Sequence, residues 1–186
     1  MNNSGSLVVG NNGDAVLTIA NGGKVTSASN YVSYNVLGSK VGAVAGSNGV
    51  VTITGVGSSW TDTGSLAVAI GGSGNGMLTV ANGGMLNASV GGVAVGANAG
   101  SIGTINIGAA AASLAAAPGT VSTPSVTFGA GTGTLNFNHT STDGSYAFVP
   151  VISSGTGSAT INQLAGNTNL TANSSNFGGT DRKSVV

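Results

Sequence analysis

The chain has 186 residues, no cysteine, and 4% charged residues balanced at four basic against four acidic, a composition that excludes disulfide frameworks, thiolate metal sites and cysteine nucleophiles. Over residues 1–180 two lysines stand against three aspartates, so no basic patch can neutralise a run of phosphates, and nucleic acid is excluded as a partner. With 34 glycines and 4% aromatic residues a thick globular core is excluded too, because glycine contributes no burial and raises the entropy cost of ordering.

Residues 1–6 carry neither the charged nor the apolar region of an export signal and open directly into repeated text. A β-rich doublet ending in Gly, a polar Gly/Asn turn and an apolar-polar-apolar triplet then recur. Val8-Val9-Gly10 leads to Leu17-Thr18-Ile19, Ala45-Gly46 to Val51-Thr52-Ile53, and Ile70-Gly71 to Leu78-Thr79-Val80. Val95-Gly96 leads to Ile105-Asn106-Ile107, and Phe128-Gly129 to Leu135-Asn136-Phe137. Two copies agree almost letter for letter, Leu17-Thr-Ile-Ala-Asn-Gly-Gly-Lys-Val25 with Leu78-Thr-Val-Ala-Asn-Gly-Gly-Met-Leu86. The triplets start at 17, 51, 78, 105 and 135, in steps of 34, 27, 27 and 30, so each unit is one coil with loops of variable length, the mark of a solenoid.

The triplets are set off by Asn12-Gly13, Asn21-Gly22-Gly23, Asn48-Gly49, Asn75-Gly76 and Asn82-Gly83-Gly84, pairs that supply positive φ at little cost and predict turns. Hairpins use the same dipeptides, so an antiparallel meander competes; a 27-residue unit recurring in register favours parallel coils. Identical positions then stack about 4.8 Å apart, and around six coils make a rod on the order of 30 Å long. Leu17, Val51, Leu78, Ile105 and Leu135 form one interior file, Ile19, Ile53, Val80, Ile107 and Phe137 a second, and Thr18, Thr52 and Thr79 face outward between them.

Residues 108–119 break the pattern with an alanine-rich run ended by Pro118-Gly119, too short for an independent helix and expected as a coil insertion with a single helical turn against the rod. The chain therefore divides into a repeat region over 1–107, an Ala/Pro-rich insertion over 108–125, further coils over 126–180, and a terminal stretch over 181–186 that matches nothing upstream. That stretch can be encoded by triplets resembling a common sequencing adapter and is read as a non-native tail. Mean hydropathy is positive at +0.34, yet Gly, Asn and Ser interrupt every apolar run well short of the ~20 residues a bilayer helix needs, so direct membrane insertion is not expected.

Taken together, Val-Gly doublets, Gly-x-Leu-Thr-Val-Ala-Asn-Gly-Gly, Ala117-Pro-Gly-Thr120, Phe128-Gly-Ala-Gly-Thr-Gly-Thr-Leu-Asn-Phe-Asn-His-Thr140, Ile161-Asn-Gln-Leu-Ala-Gly-Asn-Thr-Asn-Leu-Thr171 and Gly178-Gly-Thr180 resemble the passenger region of bacterial autotransporters, the type V secretion family. The likeness covers nearly all of residues 6–180. It implies an all-β fold, a right-handed parallel β-helix (solenoid), here a fragment with open ends. It also implies display on the Gram-negative outer membrane or in the extracellular space, as part of a longer protein with an N-terminal signal and a C-terminal outer-membrane β-barrel. The partners it implies are host or matrix surface components or neighbouring cells.

Few constellations could carry chemistry. His139 with Ser141, Asp143 and Ser145 offers the residue types of a catalytic triad, but a triad is defined by geometry, and no nucleophile turn surrounds these serines; Asp143-Gly144 reads as a turn. The run from Gly71 to Gly76 lacks the helix and lysine of a phosphate cradle, since Met77-Leu-Thr-Val begins a strand. Asp14, Asp62 and Asp143 fall at unlike phases of the repeat, too few to cage a hard cation, so neither metal nor cofactor is expected. Trp60, Tyr31, Tyr34 and Tyr146 offer stacking faces to a sugar or protein, the two tyrosines of the long repeat in a projecting loop, although a core or coil-capping role is favoured because large apolar groups go where they can be buried.

The expected function is a non-catalytic surface passenger, an adhesin-like stalk or binding scaffold with no catalytic, cofactor or metal residue and an unknown binding site. The alternative is a β-helical polysaccharide-degrading enzyme or tail-spike-like protein, which asks for two carboxylates flanking the bond in a chain without glutamate. An ice-binding threonine face is a third reading, weakened where the outward file changes to Asn106 and Asn136.

Overall fold

The computed structural model describes residues 1–2, 4–28, 38–65 and 67–183, and these form an all-β parallel β-helix. The first coil holds β1 (Val8–Val9), β2 (Asp14–Ile19) and β3 (Lys24–Ser27), and the second β4 (Lys40–Val41), β5 (Asn48–Thr54) and β6 (Ser59–Asp62). The third holds β7 (Val68–Ile70), β8 (Asn75–Ala81) and β9 (Met85–Asn87), and the fourth β10 (Val93–Val95), β11 (Ile102–Gly108) and β12 (Thr120–Ser122). The fifth holds β13 (Ser125–Phe128), β14 (Thr132–Asn138) and β15 (Tyr146–Phe148), the sixth β16 (Val151–Ser154), β17 (Ser158–Ala165) and β18 (Thr168–Leu170), and β19 (Thr180–Lys183) follows.

Every third strand pairs in parallel. One face is the sheet β1-β4-β7-β10-β13-β16, the long face is β2-β5-β8-β11-β14-β17-β19, and a third face is β3-β6-β9-β12. Parallel neighbours need a connection long enough to return the chain to its start, and here two other strands of the coil supply it.

Leu17, Val51, Leu78, Ile105, Leu135 and Ile161 are register partners in one interior file, and Ile19, Ile53, Val80, Ile107 and Phe137 in another. Val9, Val41, Ile70, Val95 and Phe128 line the first face, and Val25, Trp60, Leu86 and Val121 the third. Nearly all of these side chains are buried in one continuous core. The alternation of β-branched inward and small polar outward residues thus resolves into straight files, because a period of two keeps each file on one side of the sheet.

Three sequence expectations change in detail. The second-coil equivalent of Val9-Gly10 is Val41-Gly42, not Ala45-Gly46: Val9 pairs with Val41, and Gly10, Gly42 and Gly71 share φ near 72–74° at the same corner. Asn21 and Asn82 do take positive φ (54° and 52°) in their Asn-Gly-Gly turns, whereas Asn48-Gly49 and Asn75-Gly76 begin β5 and β8. There glycine is required by close backbone approach, since a Cβ on Gly76 would overlap Gly71 N and Val41 O.

The insertion is also shorter than 108–125 and holds no helical turn. Thr120–Ser122 already pairs with β9, leaving 109–119 as the extra segment, closed by one turn in which Ser113 N–H donates to Ala110 O at 2.9 Å. Alanine's helix preference yields because neighbouring coils satisfy the backbone instead: Asn82 N–H donates to Ala117 O (2.7 Å), Gly83 N–H to Pro118 O (3.1 Å) and Thr140 N–H to Ala116 O (3.0 Å). Leu114, 94% exposed, leaves a helix no apolar face to bury.

At the far end the third face is interrupted. β15 pairs only with β18, in a separate two-stranded sheet, and makes no ladder with β12. Val121 on β12 and Phe148 on β15 are each buried in the core without a ladder between the two strands. β19 pairs with β17 and sets Asp181 against Ile161, an exposed carboxylate in a file that is aliphatic in every earlier coil.

Candidate functional site

His139 follows β14 directly, its N–H donating to Ala165 O at 3.2 Å, and its side chain is fully buried. The imidazole lies between Tyr146 (ring centroids 4.8 Å) and Phe137 (6.4 Å), with Nε2 2.8 Å from Thr168 Oγ1 and Nδ1 without a hydrogen-bond partner. Burial holds its pKa below the ordinary histidine value, and the Ser141 backbone offsets this only in part.

Asp143 is exposed instead, and its Oδ1 accepts from Ser145 Oγ (2.7 Å), Ser145 N–H (3.0 Å) and Ser141 Oγ (3.2 Å) across the turn at Gly144, φ 75°. These bonds, the Ser145 hydroxyl first, hold its carboxyl below the usual range. Ser141, Asp143 and Ser145 therefore form a turn while His139 points into the core, and the imidazole makes no hydrogen bond to the side chain of any of them.

The other candidates disperse likewise. Asp14 lies exposed on β2 and accepts from Asn48 Nδ2 at 2.6 Å. Asp62, 2% exposed, takes hydrogen bonds from Ser27 Oγ (2.6 Å), Ser39 Oγ (2.5 Å) and Gly64 N–H (2.9 Å). Trp60 is in the core beside this cluster, its Nε1–H donating to Ser27 Oγ at 2.9 Å, and Tyr146, half-buried, donates its hydroxyl to Gly119 O at 3.0 Å. Tyr31 and Tyr34 lie outside the described residues. In the glycine run, a Cβ on Gly71 would meet Ile102 O and one on Gly74 would meet Val44 O, so these glycines admit the adjoining coils, and the strand β8 follows them. Among the described residues no three His, Cys, Asp or Glu side chains are grouped to hold a metal ion, and no helix is long and apolar enough to cross a membrane.

What the topology does assemble is the outer surface of the long face. One file runs Val16, Val50, Met77, Thr104, Thr134, Thr160, and beside it runs Thr18, Thr52, Thr79, Asn106, Asn136, Asn162. The first half is open, Val16 being 73% exposed, but Asn106 and Asn136 are 1% and 4% exposed. Here the sequence reading missed a functional difference: the 109–119 segment folds over β11 and β14, with Asn138 Nδ2 donating to Ala110 O and Ser113 O, both at 2.9 Å. Beneath it runs an amide ladder, Asn162 Nδ2 to Asn136 Oδ1 (2.8 Å), Asn136 Nδ2 to Asn106 Oδ1 (2.9 Å) and Asn106 Nδ2 to Thr79 Oγ1 (3.2 Å). The change from Thr to Asn along this file was the available signal, since an amide can both donate to one neighbour and accept from the next.

Asn136→Ala removes the middle of that ladder and leaves Asn106 Oδ1 and Asn162 Nδ2 without their partners, for an expected loss of about 1–3 kcal/mol in urea unfolding. Thr18→Ala on the exposed end of the same file changes stability by no more than about 0.5 kcal/mol. Equal effects would show that the ladder carries no stability.

Two cavities accompany these surfaces. One of about 400 Å³ opens at the last coil among Phe137, Ile161, Gln163, Thr168, Leu170 and Asp181. The other, about 210 Å³, is the slot between β12 and β15, bordered by Val121, Thr123, Tyr146 and Phe148. No family model matches the chain, and neither a curated protein nor a solved structure matches it.

Proposed function

We propose that this chain is a non-catalytic passenger segment of an autotransporter-type surface protein, acting as a stalk or binding scaffold. The observation that carries this reading is the uncovered part of the long face, where β2, β5 and β8 in parallel register hold Thr18, Thr52 and Thr79 beside Val16, Val50 and Met77 in straight outward files. A file of hydroxyls beside a file of aliphatic side chains suits adhesion by many weak contacts. The titratable groups support it from the other side, since His139 is sealed in the core, Asp62 is buried among serines, and Asp14 and Asp143 are held by Asn48 and by a turn. Cell-surface display and a C-terminal barrel belong to this proposal through the resemblance of residues 6–180.

Its test has two arms. Flanking DNA that encodes an export signal upstream and a barrel downstream supports the surface role, and a reading frame with neither overturns it. The purified chain, incubated with polysaccharides and extracellular-matrix proteins, is expected to retain a subset without shortening them; depolymerisation abolished by Asp14→Asn or Asp143→Asn would establish the polysaccharide-degrading alternative, which needs a carboxylate pair.

A further inference from the structure

We infer that His139 is an acid-operated latch on the fifth and sixth coils: protonation of its imidazole releases the β15–β18 sheet while the earlier coils stay stacked.

The chain has one histidine, no cysteine and no glutamate. An imidazole is the side chain whose charge ordinarily changes between about pH 5 and 8, and His139 is the one imidazole of the chain.

Its surroundings make the charge costly. The ring is fully buried, Nδ1 makes no hydrogen bond, and the Gly166 backbone lies so close that a Cβ there would overlap Nδ1 and Cε1. Among the described residues, the titratable or charged groups near it are three. From β15 comes the Tyr146 phenol, committed to Gly119 O and pushed by burial far above its usual pKa, hence neutral. From the 140–145 turn comes Asp143, exposed and engaged by Ser141 and Ser145. Near β17 and β18 is Asp181, on the cavity that Gly166 and Thr168 also border. None of the three is hydrogen bonded to the imidazole, so a proton added there gains no direct anionic partner.

Position makes that charge consequential. His139 touches Tyr146, the first residue of β15, and Thr168, the first residue of β18, and these two are register partners. The two-stranded sheet they start has only three such pairs and no ladder to β12. A neutral imidazole thus touches both strands at their beginning, beside the Tyr146 hydroxyl bond to Gly119 O and the Asn167 N–H bond to Ser141 O. The direction follows from linkage: because the folded state disfavours the charged ring, the contribution of His139 is complete above about pH 6.5 and is lost as pH falls below it.

Hydrogen exchange of the full chain tests this, with rates corrected for intrinsic pH dependence. Peptides spanning 140–149 and 166–171 are expected to lose protection by up to about thirtyfold between pH 7.5 and 5.0, the ceiling for a group of unfolded pKa ~6.5 that stays neutral while folded. Peptides spanning 48–81 keep theirs, and His139→Asn removes the pH effect at both sites. Equal pH-dependent losses in wild type and His139→Asn would overturn the latch. A proton NMR titration of the single imidazole in the wild-type chain needs no variant: titration at the ordinary value with the β15–β18 amide signals unshifted also overturns it, and concerted loss of those signals supports it.

Discussion

Replacing Gly103 with alanine is expected to cost about 3 kcal/mol or more and to shift the urea midpoint by more than any exposed substitution. Gly103 belongs to an inward file, Ala15, Gly49, Gly76, Gly103, Gly133, Ala159, at the corner where the first face turns into the long face. Gly96 N–H donates to Ile70 O at 2.8 Å beside it, and a Cβ on Gly103 would overlap both atoms of that coil-to-coil hydrogen bond. Backbone cannot yield as a flexible side chain does, so the methyl group must break the bond or part the coils. Gly13 is the control: no atom lies within 4 Å of its would-be Cβ and its φ is not positive, so Gly13→Ala is expected to stabilise by about 0.4–1 kcal/mol through the unfolded chain. If both variants unfold like wild type, the corner file is not packed as described.

Leu78→Ala is expected to lose about 3–5 kcal/mol. Leu78 is fully buried on β8 between Val51 and Ile105, and strands on both sides hold the surrounding backbone in register, so the cavity cannot collapse. In a stacked array the damage also weakens coupling between the coils before and after it, which broadens the unfolding transition. Trp60, the single tryptophan, is buried on the second coil and reports that change by fluorescence. Leu17→Ala, half-buried on the first coil with a partner on one side only, is expected to cost less than about 2 kcal/mol. A loss at Leu78 no larger than at Leu17 would mean that the interior file does not continue through the third coil.

The files were legible because each coil repeats the same local problem. Leu17 and Leu78 sit in nearly identical nonapeptides, and a parallel stack brings like positions together, so the register of Leu17, Val51, Leu78, Ile105 and Leu135 follows from spacing alone. The misassigned doublet, Ala45-Gly46 in place of Val41-Gly42, arose in the longest repeat, where a varied loop length hides which glycine turns the corner. The candidate chemistry was legible only as residue types: His139 and Asp143 are four positions apart in the chain, yet one is in the core and the other in solvent.

Periodicity in the sequence by itself determined the all-β parallel stack, its interior files and the outward threonines, because strand alternation and glycine turns are local properties that recur with each coil. Tertiary structure alone decided where the alanine-rich segment returns, and so that Asn106 and Asn136 are buried as a hydrogen-bonded ladder. It also decided that β15 pairs with β18 and not with β12, and that His139 is enclosed between Tyr146, Phe137 and Thr168. The physical reason is that burial of a side chain depends on which segment comes to lie over it, and the hydrogen bonds of Asn138 to Ala110 and Ser113 and of His139 to Thr168 join residues 25 to 29 apart, whose spacing the repeat no longer governs once a loop changes length.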